Sequence, residues 1–301
     1  MQFEEQLALL GDLARPLHHS ELKALSALGP ELLRAFWQGW ASIPAERRLA
    51  IIQALDPLAE EHVEMDFRPV LRACLNDADP DVRAAAIIGL WEDESERTMD
   101  RLITLLDDPA GPVRSAATLA LAPFAYRAEL GELPAPAAQR VQAALLRVVA
   151  DPEQPLEVRR RAVEGLGYFA SSKEAQVEIG RAYAHSEQMM RESAVLAMGR
   201  SMRPTWFPYL ERELKSPSPA LRYEAARAVG EIGEDGRPLL PALLPLVDDE
   251  DSEIALAAIW SLGQVGGPSA KRLLERLARS KNEARSQAAS AALEELDLDS
   301  F

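Results

Sequence analysis

Cysteine is nearly absent: Cys74 is the single one in 301 residues. One thiol closes no internal disulfide, so oxidation does not staple this fold. Cys74 sits in an apolar helical run, Val70 to Leu75, and reads as a small buried hydrophobe. Histidine is scarce too. His18, His19, His62 and His185 are scattered and none precedes a glutamate, which leaves no histidine-based metal site to expect. Basic charge is in deficit, 33 Lys and Arg against 48 Asp and Glu, for a net charge of −15. A field of that sign repels phosphate backbones and anionic membranes. Neither nucleic acid nor membrane is therefore an expected partner. No apolar run is long enough to span a bilayer, and Met-Gln-Phe-Glu-Glu lacks the basic start of a secretion signal. A cytoplasmic protein is the expectation. No segment shows convincing strand alternation. Phosphate loops, zinc spacings, nucleophile elbows and Cys/His pairs are missing as well. No cofactor, metal or catalytic residue is expected.

What is present is a repeat. An apolar residue, Arg, two variable residues, Ala and a closing apolar run recur along the chain, as in Val82-Arg83-Ala84-Ala85-Ala86-Ile87-Ile88-Gly89-Leu90. Taking the arginine position as the anchor, copies stand at 48, 83, 114, 159, 191, 222, 255 and 285, spaced 35, 31, 45, 32, 31, 33 and 30 residues apart. Three residues after the anchor stand Ile51, Ala86, Ala117, Ala162, Ala194, Ala225, Ala258 and Ala288. Seven after it stand Leu55, Leu90, Leu121, Leu166, Met198, Val229, Leu262 and Ala292. The residue before the anchor, the alanine and the leucine share one helical stripe at i, i+4 and i+8. The alanine marks a close approach of helices, where a larger side chain would push them apart. Eight after the anchor stand Gly167, Gly199, Gly230 and Gly263. They are read as left-handed residues that end helices. Ahead of each anchor runs another apolar stretch, from Phe67–Leu75 to Ala270–Leu277, set off by turn signals such as Asp107-Asp-Pro109. Two antiparallel helices per repeat follow.

Asp-Pro-Asp-Val-Arg-Ala-Ala-Ala at 79–86 and Leu-Arg-Tyr-Glu-Ala-Ala-Arg-Ala-Val-Gly at 221–230 resemble HEAT repeats. The likeness is to bacterial HEAT-repeat proteins with phycobilisome-lyase-type repeats, and it covers residues 20–298. It implies an all-α, right-handed α-solenoid of about eight helical hairpins. It also implies a ladder between a turn aspartate and the anchor arginine of neighbouring repeats. Asp77, Asp108 and Asp249 stand six before an anchor, whereas His185 and Ser216 replace the acid and Ala255 replaces the arginine, so gaps are expected there. Arg159-Arg160-Arg161 reads as one ladder arginine with two solvated neighbours. HEAT-repeat di-iron hydroxylases carry His-Glu pairs; here Arg222-Tyr223-Glu224 stands at the matching place, with tyrosine for histidine.

Residues 1–44 are read as a helical cap plus the first helix of repeat one, and 45–298 as one continuous array with a short tail at 299–301. The long spacing holds an inserted loop at 123–136, rich in proline. Trp37 and Trp40 are read as core of the cap, Trp206 as packed in an outer helix. In such a hairpin the second helix lines the concave side, so positions one, five and eight after the anchor face the groove. Many are apolar or aromatic where solvated helices carry charge. The partner-binding set is Ile88, Trp91, Leu119, Glu164, Glu192, Leu196, Tyr223, Glu224, Arg227, Leu256 and Trp260. The competing reading is that curvature buries these side chains between repeats. The expected function is a scaffold that binds a partner protein or peptide, with a basic segment favoured by the acidic residues. A bilin or small-molecule lyase, or a chaperone-type activity, on the same fold is the alternative.

Overall fold

The computed structural model describes residues 3–298, so the 299–301 tail lies outside the described residues. The chain has two compact units, 1–124 and 125–301. The described residues contain helices and turns but no strand.

In the first unit, α1 (Phe3–Gly11), α2 (His19–Leu22) and α3 (Pro30–Trp40) precede α4 (Ala45–Glu61). Then come the hairpins α5 (Arg68–Cys74) with α6 (Pro80–Ile88) and α7 (Glu96–Leu105) with α8 (Gly111–Ala120). The second helices α4, α6 and α8 pack side by side. Local chemistry sets the helix starts. Asp79 accepts from the backbone N–H groups of Asp81 and Val82, and Ser95 from that of Thr98. Along α3, Phe36 and Trp40 are buried at i and i+4, while Trp37, a third of a turn away, is exposed. Trp37 is thus not the core residue expected.

The 123–136 stretch is not the loop expected either. Its first part is helix α9 (Ala122–Glu129), within which the unit boundary falls. Pro123 occupies the first turn, where its missing N–H has no helical partner to lose. Only the residues around Gly131, at φ 73°, are irregular before α10 (Ala135–Ala150).

The second unit continues with α11 (Leu156–Leu166), α12 (Lys173–Tyr183), α13 (Gln188–Arg200), α14 (Phe207–Glu213), α15 (Pro219–Ile232), α16 (Leu240–Leu243), α17 (Ser252–Val265), α18 (Gly267–Leu277) and α19 (Glu283–Leu298). Each second helix packs on the next, α11 on α13, then α15, α17 and α19. The stretch Leu239–Leu246, expected as one helix, is a single α turn between 3-10 segments at 233–239 and 244–248. Pro238, Pro241 and Pro245 remove the donors a regular α-helix needs there.

Seven residues of the alanine column, Ile51 to Ala258, and the whole leucine column are buried; Ala288 is half-buried. The glycine column has a different cause from the one expected. Gly199, Gly230 and Gly263 lie inside helices, not at left-handed ends. A Cβ on Gly199 would stand 2.6 Å from Ala228 Cα, and one on Gly263 2.9 Å from Ala292 Cβ. Glycine here lets neighbouring second helices touch. The left-handed residues come three positions later, at Gly233 (φ 66°) and Gly266 (φ 65°).

The aspartate–arginine ladder forms where both partners exist. Arg48 donates to Asp77 at 3.0 and 2.8 Å, Arg83 to Asp108 at 2.9 and 2.8 Å, and Arg222 to Asp249 at 2.8 and 3.2 Å. Where the acid is missing, Arg159 donates to the Val149 carbonyl and Arg191 to those of His185 and Ser186.

Candidate functional site

The second-helix layer behaves differently in the two units. Five residues after the anchor, Ile88 and Leu119 of the first unit are 61% and 50% exposed. In the second unit Leu196, Arg227 and Trp260 at the same place are half-buried, and Glu164 is only 5% exposed. The glycines eight after the anchor explain the contrast. They draw the second-unit helices together, whereas the first unit has Asp56, Trp91 and Ala122 in that column, none of them glycine. Packing between repeats, the competing reading, thus accounts for part of the second unit. Glu164 is corrected on this ground: its carboxylate accepts from Ser193 Oγ at 2.7 Å and Arg161 Nη1 at 3.1 Å and is not presented to a partner.

Arg160 and Arg161 are not solvated neighbours of a ladder arginine. Both donate to Glu157, at 2.9 and 3.0 Å, and both are half-buried. Arg160 Nε also donates to Ser193 Oγ at 3.1 Å. The basic cluster is neutralised by Glu157 and Glu164 within its own helix.

Next along the layer comes Glu224 of α15. Burial, followed by the nearby charges of Glu164 and Glu192, pushes its carboxyl up to about 7, with Arg227 opposing. It has no hydrogen bond or ion pair among the described residues. Glu192 accepts from Gln188 Nε2 at 2.9 Å. Arg227 stacks over the Trp260 ring, 4.9 Å from its centroid, and lies 3.8 Å from Glu231. Burial raises Glu231 as well, against Arg200 and Arg227. Tyr223, Leu196 and Leu256 are half-buried beside these residues on α15, α13 and α17.

Tyr168, Arg200 and Glu231 belong to the same surface and were not singled out from the sequence. Arg200 stacks over Tyr168 at 4.8 Å, and burial pushes the Tyr168 hydroxyl up. All three stand nine residues after an anchor, as does Gln264. A polar column in an apolar repeat was the signal available. The second unit therefore carries a strip of half-buried carboxylates and guanidinium groups bordered by aromatic rings. It can hold cations and flat side chains.

A family model described as HEAT repeats matches residues 68–155 and 207–294. The chain belongs to the HEAT-repeat family. Among solved structures, this HEAT-repeat chain is similar to yeast importin-beta (Kap95p), 15% identical over 98% of this chain and 46% of that one, with a TM-score of 0.56. It resembles the importin of the Kap95:Nup1 complex, 15% identical over the same shares, with a TM-score of 0.54. It spans under half the length of either. It is also similar to the phycocyanin lyase complex of CpcE and CpcF from Nostoc sp. PCC7120, 18% identical over 77% of this chain and 94% of that one, with a TM-score of 0.53. These likenesses establish the α-solenoid class of fold. No curated protein matches the chain. No helix among the described residues is long and apolar enough to cross a membrane.

Proposed function

We propose that the chain is a non-catalytic interaction scaffold that holds a partner protein through a basic, amphipathic segment laid along the second-helix layer of the second unit. The observation that carries this reading is Glu224. A half-buried carboxylate with no hydrogen bond or ion pair, beside Glu164 and Glu192 and only partly offset by Arg227, is unfavourable in the free protein and is relieved by a further cation. Tyr223, Leu196, Leu256 and Trp260 supply the apolar contacts that a segment of alternating character needs. The excess negative charge of the chain raises the association rate of such a partner. Ile88 and Leu119 offer a separate apolar contact on the first unit. The HEAT-fold structures it resembles include two complexes, importin with Nup1 and CpcE with CpcF, which is the kind of role this reading assigns.

Affinity isolation from the source cell, repeated with Glu192→Lys and Trp260→Ala, tests it. A partner that carries a basic amphipathic segment, is kept by the parent and is lost by both variants supports the reading. A partner retained equally by both places the functional surface elsewhere.

A further inference from the structure

The first unit contains a crevice of about 490 Å³ between the end of α4, the start of α5 and the segment after α6. Leu55, Phe67 and Leu71 line its apolar base. Trp91 forms one wall and is 58% exposed. Among the described residues no ring or cation of the chain stacks on that indole. Its ring N–H donates to Asp56 Oδ1 at 3.1 Å, which fixes the indole and sets a carboxylate at the ring edge.

The charges around the crevice are unbalanced. Asp66 is satisfied by Arg68 at 2.7 and 3.1 Å, and Asp93 by Arg72 at 2.6 Å. Asp56, Glu60 and Glu92 form no ion pair among the described residues; Arg68, which also lines the crevice and is paired with Asp66, acts on Glu92 only at longer range. A ligand that completes the site would carry positive charge, a flat face for the indole, several N–H donors for carboxylates and an apolar stem for the base. Arginine meets all four conditions. Its planar guanidinium stacks on aromatic faces and donates in a fork, and its methylenes cover apolar surface. An ammonium group lacks the flat face.

We propose that this crevice binds an arginine side chain of a partner peptide, stacked on Trp91 and bonded to the free carboxylates. The site is built from the first unit alone and shares no residue with the strip on the second.

Two-dimensional NMR of the indole N–H groups tests it, because the chain has five tryptophans and Trp91→Phe assigns one signal. The probes are the blocked peptide Gly-Leu-Arg-Leu-Gly and versions with lysine or citrulline in place of arginine. The arginine peptide is expected to move the Trp91 signal saturably, and to bind at least fivefold more weakly to a Glu60→Gln, Glu92→Gln double variant that leaves the Trp91–Asp56 bond in place. The lysine peptide is expected to bind more weakly and the citrulline peptide not to saturate. Equal binding of citrulline, equal or tighter binding of lysine, or no loss in the double variant overturns the assignment. So does an arginine peptide that leaves Trp91 unmoved. The Trp260 signal reports the second-unit strip separately, so failure of one reading is distinguishable from failure of the other.

Discussion

Arg227 and Trp260 occupy the same column of consecutive repeats, and the guanidinium of one lies over the ring of the other at 4.9 Å. The chain thereby covers one face of that ring with its own cation. A half-buried stack of this kind stabilises by roughly 1 kcal/mol. Arg227→Ala and Trp260→Ala should each destabilise the fold modestly. In a double-mutant cycle by urea denaturation, a coupling of about that size is expected.

Close approach of the second helices predicts opposite signs for two glycine substitutions. Gly199→Ala places a methyl group against Ala228 and should cost roughly 1–3 kcal/mol or more by overpacking. Gly180→Ala, inside α12, meets only Trp206 at 3.6 Å and should stabilise by about 0.5–1 kcal/mol through helix propensity. Thermal denaturation of both variants checks the pair.

Much of this packing was legible beforehand. The anchor spacing located every hairpin, because a small residue and a large apolar residue at fixed offsets leave little freedom in how helices meet. The ladder was legible because Asp77, Asp108 and Asp249 keep their distance from an arginine. The glycine column was found but given a backbone cause, since composition does not separate a left-handed end from a helix contact. Trp37 was misplaced because tryptophan suits the core on average, and only the position of Phe36 and Trp40 on α3 decides which face is inward. The sequence presents Glu164 as a surface acid because Ser193, whose hydroxyl donates to it, stands on the next repeat. Helix α9 is hidden in the sequence by prolines: Pro123 sits at its start, and Pro134 and Pro136 lie beyond its end.

The ladder predicts a large effect from a single carboxylate. Asp77 is buried and accepts from Arg48 and from Trp40 Nε1 at 2.6 Å. Asp77→Ala leaves the Arg48 charge buried without its partner and should cost about 3–5 kcal/mol. Denaturant unfolding at neutral pH measures the loss.

The pH dependence of stability should contain two opposed components. Asp93, held near 2 by hydrogen bonds from Arg72, Thr98 and Ser95 that outweigh its burial, and Asp108 and Asp249, held low by their ladder arginines, ionise more readily folded than unfolded. Their contribution is present above about pH 4 and is lost as pH falls toward 2. Glu224 acts the other way. Its folded value near 7 exceeds the usual carboxylate value of 4.5, so stability is lost as pH rises from about 4.5 to 7. The loss is at most about 3 kcal/mol. Glu231, also raised by burial, acts in the same direction, so Glu224→Gln should reduce that decline between pH 5 and 8 while leaving acid unfolding unchanged, as seen by urea denaturation across the range.

If the proposed role is right, the second-unit strip selects basic, amphipathic segments. The most direct test is selection from a random displayed peptide library on the intact chain, with Glu192→Lys as the counter-target. Enriched peptides should alternate Arg or Lys with apolar residues and should bind at least tenfold more weakly to the charge-reversed variant. Enrichment of neutral or acidic peptides, or equal binding to Glu192→Lys, would contradict it.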